Sequence, residues 1–153
     1  MNSLRHSDAA GPSQYALSVR QPWAELILCG KKSIELRSWS TAYRGQLWLH
    51  TGRQGDPELE KSFGLSHLFT GGYVGAVILT AVVPMDQDRW ESWRFKHLDP
   101  SPYQAGMYAW VLASPLRFEE PVSGPGQLRL FLPPREIETQ LRRARDGVLR
   151  SGN

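Results

Sequence analysis

Lys32, Glu35 and Arg37 stand within six residues of one another, in the run Gly30-Lys31-Lys32-Ser33-Ile34-Glu35-Leu36-Arg37-Ser38-Trp39. As a strand, this run places Ser33, Glu35, Arg37 and Trp39 on one face and Ile34 and Leu36 on the other, toward a core. An acid two residues from an arginine on one strand face forms an ion pair. On an open surface such a pair contributes little. In a cleft it is costly to bury unless further hydrogen bonds satisfy it, and there it marks a candidate site. Two kinds of chemistry are open to these residues. Lys32 beside Glu35 in a partly desolvated cleft is a general acid/base pair, because burial lowers an amine's pKa and a neighbouring carboxylate raises it again. Alternatively the positive side chains hold an anion. Arg20, Lys32, Arg44 and Arg53 would then meet phosphates or a polar base edge, with Arg37 held in place by Glu35. Trp39 or Trp23 at the rim offers a ring for an unpaired base. Single-stranded or flipped nucleotides suit such a pocket better than a duplex groove.

Other reactive residue types carry less. His50 ends a strand pattern and is placed to join Lys32 and Glu35 as a proton shuttle. The four histidines (His6, His50, His67, His97) lack ligand spacing with carboxylates, so neither a metal site nor another cofactor is expected. Cys29 reads as a small core residue next to a helix-ending glycine, and a single cysteine excludes a disulfide scaffold. No Gly-rich phosphate loop or nucleophile elbow occurs.

The elements that must position these side chains follow from local pattern. Residues 1–14 are polar and aperiodic, which predicts a mobile N-terminal tail. Tyr15 to Val19 reads as a short strand. Pro22 to Cys29 reads as a helix, with Trp23, Leu26 and Ile27 at i, i+3 and i+4, Pro at its start and Gly30 past its end. Arg20 and Gln21 then sit where that helix begins, and its free amide groups would favour a phosphate or carboxylate there. Strands follow at about 32–39 and 46–50, joined by a turn at Tyr43-Arg44-Gly45. A helix is expected around 57–68 and a buried, β-branched strand from Tyr73 to Met85. A helix capped by Asp86 and Asp88 places Trp90, Trp93 and His97 on one face. A strand is expected at 107–113, a turn at Gly124-Pro125-Gly126, and a last strand at 127–132 with Leu128, Leu130 and Leu132 on one side. Residues 135–150 form an Arg-rich helix with a thin apolar stripe of Ile137, Leu141 and Val148. Five or six short strands with a few helices in irregular order predict an α+β fold, a strongly curved sheet or small β-barrel flanked by short helices.

Composition bounds the partners. The 153 residues make one domain, and 41% hydrophobic with 22% charged residues is a globular balance. Eighteen Lys and Arg against fifteen Asp and Glu leave a net charge of only +3, which excludes a polycation. The charge is nevertheless uneven: residues 20–53 carry a balance of +4, residues 54–120 a balance of −4 and residues 133–153 a balance of +2. A near-neutral chain with one basic lobe has an anion-binding face, and nucleic-acid backbone is the commonest large anion. The opening MNSLRHSDAAGPSQ lacks the apolar segment of a secretory signal, and the longest apolar run is too short to span a bilayer. A cytoplasmic setting without membrane contact is the expectation.

The run from Leu17 to His50 also resembles the ASCH domain, a branch of the PUA-like superfamily. That family's Gly-x-Lys-x-x-Glu-x-Arg signature is matched by Gly30, Lys32, Glu35 and Arg37. The resemblance continues in Arg20-Gln21-Pro22-Trp23, Tyr43-Arg44-Gly45, Gly72-Tyr73-Val74-Gly75, Tyr108-Ala109-Trp110 and Gly126-Gln127-Leu128, covering about Tyr15 to Pro133. It implies a PUA-like small β-barrel over residues 15–133, followed by the Arg-rich segment 134–153. It also implies a cleft where the first helix meets the Gly-x-Lys strand, binding RNA or a modified nucleotide through Arg20, Gln21, Pro22, Trp23, Lys32, Glu35 and Arg37, with Trp39 and Arg44 beside them. A subgroup resembling small amidohydrolases pairs the Lys with a Thr three residues later. Glu35 occupies that position here. Other members are described as ribonucleases, so a hydrolase using Lys32 and Glu35 on a nucleoside amide or an RNA phosphodiester is the first alternative. Docking of an acidic protein partner on the 135–150 helix is the second.

Overall fold

The computed structural model describes residues 13–152. The β-branched run after Gly72 becomes one long strand, β4 (Gly72–Pro84), which is buried on both faces over its first six residues. It pairs antiparallel with β3 (Gly45–Thr51) on one side and with β5 (Tyr108–Ser123) on the other. β1 (Ala16–Ser18) joins β3 in parallel, and β2 (Ile34–Arg37) joins β5 antiparallel. The strand order is therefore β1-β3-β4-β5-β2, a five-stranded mixed sheet with flanking helices, as expected for an α+β fold.

Register shifts interrupt β3 between Leu49 and His50 and recur along β4. Each such irregularity bends a strand and increases its twist. The sheet curls until its two edge strands approach each other: Arg37 on β2 donates from Nη2 to the Ser18 carbonyl on β1 at 2.7 Å. No ladder joins β1 to β2. The barrel-like sheet stays open along that seam, and the seam is where the cleft lies.

Alternation along β3 divides the core between two faces. Leu47 and Leu49 pack with Leu17, Val74 and Trp110 beneath helix α1 (Trp23–Leu28), which buries Ala24, Leu26, Ile27 and Leu28. Trp48, between them, packs on the opposite face with Tyr73, Phe118, Phe131 and Leu141 of the C-terminal helix. A third cluster forms around Ile34, Met85, Trp90 and Ala109. Helices α2 (Pro57–Ser62), α3 (Gln87–Ser92) and α4 (Arg94–His97) are short, and only α5 (Arg135–Ser151) is long. Among the described residues no helix is long and apolar enough to cross a membrane.

Several boundaries differ from the sequence expectation, each for a local reason. α2 ends at Ser62 rather than near Leu68, because Gly64 takes a left-handed φ of +71°. The Gly64 and Leu65 amides bond back to the Lys61 and Glu60 carbonyls, closing the helix. The helix after Met85 breaks in two at Trp93. Its start is capped by Asp86, whose Oδ1 accepts from the Arg89 amide at 2.8 Å. β5 does not stop at Ala113: Ser114 at φ +51° makes an irregularity, and the pairing resumes from Leu116 to Ser123. The strand expected at 127–132 does not form. Among the described residues only Phe131 of this segment makes a bridge, to Ala16, and Arg129 at φ +59° breaks the extended path. The leucine alternation there does not bury Leu128, which is 92% exposed.

The 135–150 helix is a packed element of the fold. Leu141 is fully buried, and Ile137 and Ala144 pack beside it. Arg145 bonds Gln46 Oε1 at 3.0 Å and lies over the Trp48 ring, tying α5 to β3. Of the tail expected at 1–14, residues 1–12 lie outside the described residues; Ser13 and the Gln14 amide both donate to the Glu138 carboxylate.

Candidate functional site

The open seam of the sheet forms a cleft of about 1110 Å³. Ser18 from β1, Glu35 to Arg37 from β2, Trp39 beyond it, Arg20 and Trp23 at the start of α1, His50 near the end of β3 and Gly52 to Gln54 just after that strand line three sides. Met107 and the segment Gly126 to Arg129 complete the wall. Four arginines (Arg20, Arg37, Arg53, Arg129) face one carboxylate, Glu35. A cavity walled in this way concentrates positive potential, because low-dielectric walls focus field lines into the opening.

Beneath the cleft runs a chain of charge. The buried Lys32 ammonium donates to the His97 carbonyl at 2.6 Å, lies 4.5 Å from the Trp23 ring centroid, and stands 3.6 Å from Glu35 Oε1. Glu35 Oε2 is 3.1 Å from Arg37 Nε, a contact whose angle makes it an ion pair rather than an aligned hydrogen bond. Arg37 then reaches the Ser18 carbonyl. Burial pushes the Lys32 pKa down, and the Glu35 and Asp99 carboxylates partly oppose that shift. Alternation on β2 explains the placement: Glu35, Arg37 and then Trp39 face the cleft, while Ile34 is buried in the cluster on the other side. Leu36 packs against that cluster and also edges the cleft.

The predicted residues therefore divide. Arg20, Trp23, Glu35, Arg37 and Trp39 line the cleft together, and Arg53 joins them. Lys32 lies under Trp23 and does not line it. Gln21 and Pro22 are buried; Gln21 donates to the Phe69 carbonyl and accepts from the Glu25 amide. That second bond occupies one of the helix amides expected to be free for an anion. Arg44 is exposed on its turn, bonded to the Thr41 and Tyr43 carbonyls away from the cleft. Trp39 is half-buried, edge-on to Trp110 at 4.7 Å, with Arg129 Cζ 5.0 Å from its ring centroid.

His50 joins the cleft but not Lys32 and Glu35. Its Nδ1 meets Ser18 Oγ at 2.9 Å and its Nε2 meets the Gly124 carbonyl at 3.0 Å. A carbonyl only accepts, so Nε2 carries the proton and Nδ1 accepts from the Ser18 hydroxyl. Burial lowers the His50 pKa, which keeps the ring neutral near pH 7. Gly126 packs on this imidazole so closely that a Cβ would fall 2.4 Å from Cε1. Ser18, Gln54, Met107, Gln127 and Arg129 were not anticipated from the sequence. For Arg129 the available signal was composition: Gly124-Pro125-Gly126 and Pro133-Pro134 flank a segment better suited to a loop than a strand.

The profile described as ASCH domain matches residues 17–122. The chain belongs to the ASCH domain family. Among solved structures, this ASCH domain is similar to the ASCH protein of Zymomonas mobilis, with a TM-score of 0.61 at 17% identity over 84% of this chain and 92% of that one. A mutant structure of the same protein gives 0.60 at 17% identity over 84% and 94%. At that identity the likeness concerns the fold. The chain is also similar to Activating signal cointegrator 1, 47% identical over 45 residues to the Mus musculus protein and 54% over 35 residues to the Homo sapiens protein. Those segments cover 29% and 23% of this chain, and only 8% and 6% of the curated relatives.

Proposed function

We propose that this ASCH domain binds single-stranded RNA or a modified nucleotide in the seam cleft. The observation that carries the reading is the cleft's charge, four arginines to one carboxylate in a recess bordered by Trp23 and Trp39. Arg20 and Arg53, both exposed, contact phosphates at the mouth. Arg37, braced by Glu35 and the Ser18 carbonyl, presents a fixed donor deeper in. A recess of this kind suits an unpaired or flipped base better than a duplex, whose bases stay stacked. Association with RNA in the ASCH family supports the same reading.

Salt dependence tests it. Each phosphate neutralised on a single strand contributes about −0.7 to the slope of log K against log salt. Binding of a short single-stranded RNA should therefore weaken with salt, and replacing both Arg20 and Arg53 by Ala should make the slope shallower by about 1.4. A slope unchanged by that double substitution rejects the cleft as the interface.

A hydrolytic reading, on a modified nucleoside amide or an RNA phosphodiester, draws on two observations. Lys32 has the lowered pKa of a potential base, although its ammonium is engaged with the His97 carbonyl. The Ser18–His50 pair is the proton-transfer pair that lines the cleft itself. Turnover of neither acetylated cytidine nor RNA above a Ser18→Ala and Lys32→Met background removes this reading. The exposed Arg135, Arg143 and Arg150 on α5 are where an acidic protein partner would dock. A cytoplasmic location accords with either reading.

A further inference from the structure

We propose that the guanidinium of Arg129, seated on Trp39, is the platform on which this cleft stacks an unpaired base. The inference rests on the nucleic-acid reading above and names the recognition element within it. Trp39 was, with Trp23, one of the two aromatics expected to stack a base. Its position is fixed from behind, since it packs edge-on against the fully buried Trp110, whose Nε1 donates to the Trp39 carbonyl at 3.1 Å. Arg129 Cζ lies 5.0 Å from the Trp39 ring centroid, so the guanidinium covers ring surface that a base would otherwise take. What faces the cleft is then a cation held on an indole, a sandwich half built.

Three features separate Arg129 from an ordinary surface arginine. First, its backbone sits at φ +59°, a conformation that a side chain of this size rarely adopts. An outlier of that kind persists only where surrounding structure enforces it, and such outliers concentrate at functional positions. Second, the enforcement comes from both ends of the loop. The Gly124 amide bonds the Gly71 carbonyl at 3.2 Å, and Phe131 exchanges hydrogen bonds with Ala16 at 2.7 and 3.1 Å. Between these anchors, residues 125–130 make no backbone–backbone hydrogen bond with the described residues. Third, Arg129 has no ion pair with a carboxylate of the described residues, whereas Arg37 in the same cleft is paired with Glu35. Its donors are left for a ligand, and the adjoining Leu128, 92% exposed, supplies apolar surface beside it.

A guanidinium offers two kinds of surface. Its planar face stacks on bases, and its N–H edge binds phosphate oxygens. With its Cζ over the Trp39 ring, Arg129 can offer a planar face to a base and its edge to the neighbouring phosphate. A lysine has the charge but no plane, so it can replace the phosphate contact and not the stack. Purines, with the larger ring surface, are the better occupants.

The test uses the full chain and a short single-stranded oligoadenylate in which each nucleotide in turn is replaced by an abasic one, with binding read by fluorescence anisotropy. Stacking of one base corresponds to roughly a 5- to 150-fold loss on removing it. Wild type should show such a loss at one position. Arg129→Lys should bind the intact strand more weakly, with the same salt slope as wild type and an abasic loss of less than about twofold. An Arg129→Lys protein that keeps the full abasic penalty overturns the proposal. Wild-type binding that is indifferent to abasic replacement at every position also overturns it while leaving the nucleic-acid reading in place. Absence of any wild-type binding in low salt removes both.

Discussion

Replacing Glu35 by Gln takes away the only negative charge between two cations, one of them buried. Lys32 Nζ lies 3.6 Å from the carboxylate and Arg37 Nε 3.1 Å from it. At an effective dielectric of about 20, each contact represents roughly 5 kcal/mol of attraction before desolvation is subtracted. Breaking a buried pair from one side costs about 3–5 kcal/mol, because the remaining charge stays buried without compensation. Lys32 keeps its bond to the His97 carbonyl and its place over Trp23, so about 3 kcal/mol is the expected loss at pH 7. The pH dependence identifies the cause. The folded pKa of Lys32 lies below its ordinary 10.5, chiefly through burial. Between the folded value and 10.5 the unfolded chain binds more protons, so stability rises with pH across that window. Without Glu35 the folded pKa falls further, the window extends downward, and the variant regains more stability than wild type on going from pH 7 toward 10.5. Urea unfolding followed by tryptophan fluorescence at several pH values reads the difference between the two proteins. A difference that stays constant with pH, or that is below about 1 kcal/mol at pH 7, refutes the reasoning. If the single variant fails to fold, Lys32→Met combined with Glu35→Gln supplies the check. Removing the stranded cation should restore a folded protein, and a double variant no more stable than the single one refutes it equally.

Two further predictions concern the scaffold of the cleft. Leu141→Ala, at a fully buried position under the sheet, should destabilise the protein by about 2–5 kcal/mol in denaturant unfolding; a loss under about 1 kcal/mol means that α5 is not part of the core. Gly126→Ala places a Cβ 2.4 Å from His50 Cε1 and 2.5 Å from Nδ1, so the ring must move and give up its bonds to Ser18 and Gly124. A loss of about 1–3 kcal/mol and displaced His50 ring resonances by NMR are expected, and an unchanged His50 spectrum contradicts the packing.

The curled sheet makes the cleft by leaving one seam unpaired. A fully closed barrel would bury β1 against β2 and leave no room for a ligand. Here Arg37 crosses the gap to Ser18, so the same residue ties the seam and lines the opening. In the Lys32–Glu35–Arg37 series the ion pairs that hold the seam therefore share residues with the binding role proposed above. Substitutions there should be judged first by stability and only then by binding.

Local spacing was enough to read part of this protein. Glu35, Arg37 and Trp39 share a face because a strand alternates, and Arg20 comes to the cleft because it precedes a helix whose end signals are both within ten residues. The family signature and the α+β class are legible for the same reason, since they depend on residue order and short-range periodicity. Other features depend on contacts between distant segments. Lys32 withdraws from the cleft because its ammonium meets the His97 carbonyl, 65 residues away in sequence. Leu128, Leu130 and Leu132 alternate like a strand, yet among the described residues the segment's only bridge is Phe131 with Ala16, and it becomes the loop that brings Arg129 to Trp39. The thin stripe of the last helix marked Leu141 as apolar but not what it would pack on, because the surface it covers, around Trp48 and Phe118, exists only once β3 and β5 lie in one sheet. Periodicity encodes which way a side chain points from its own backbone. What it points at is decided when the sheet curls and its edges meet.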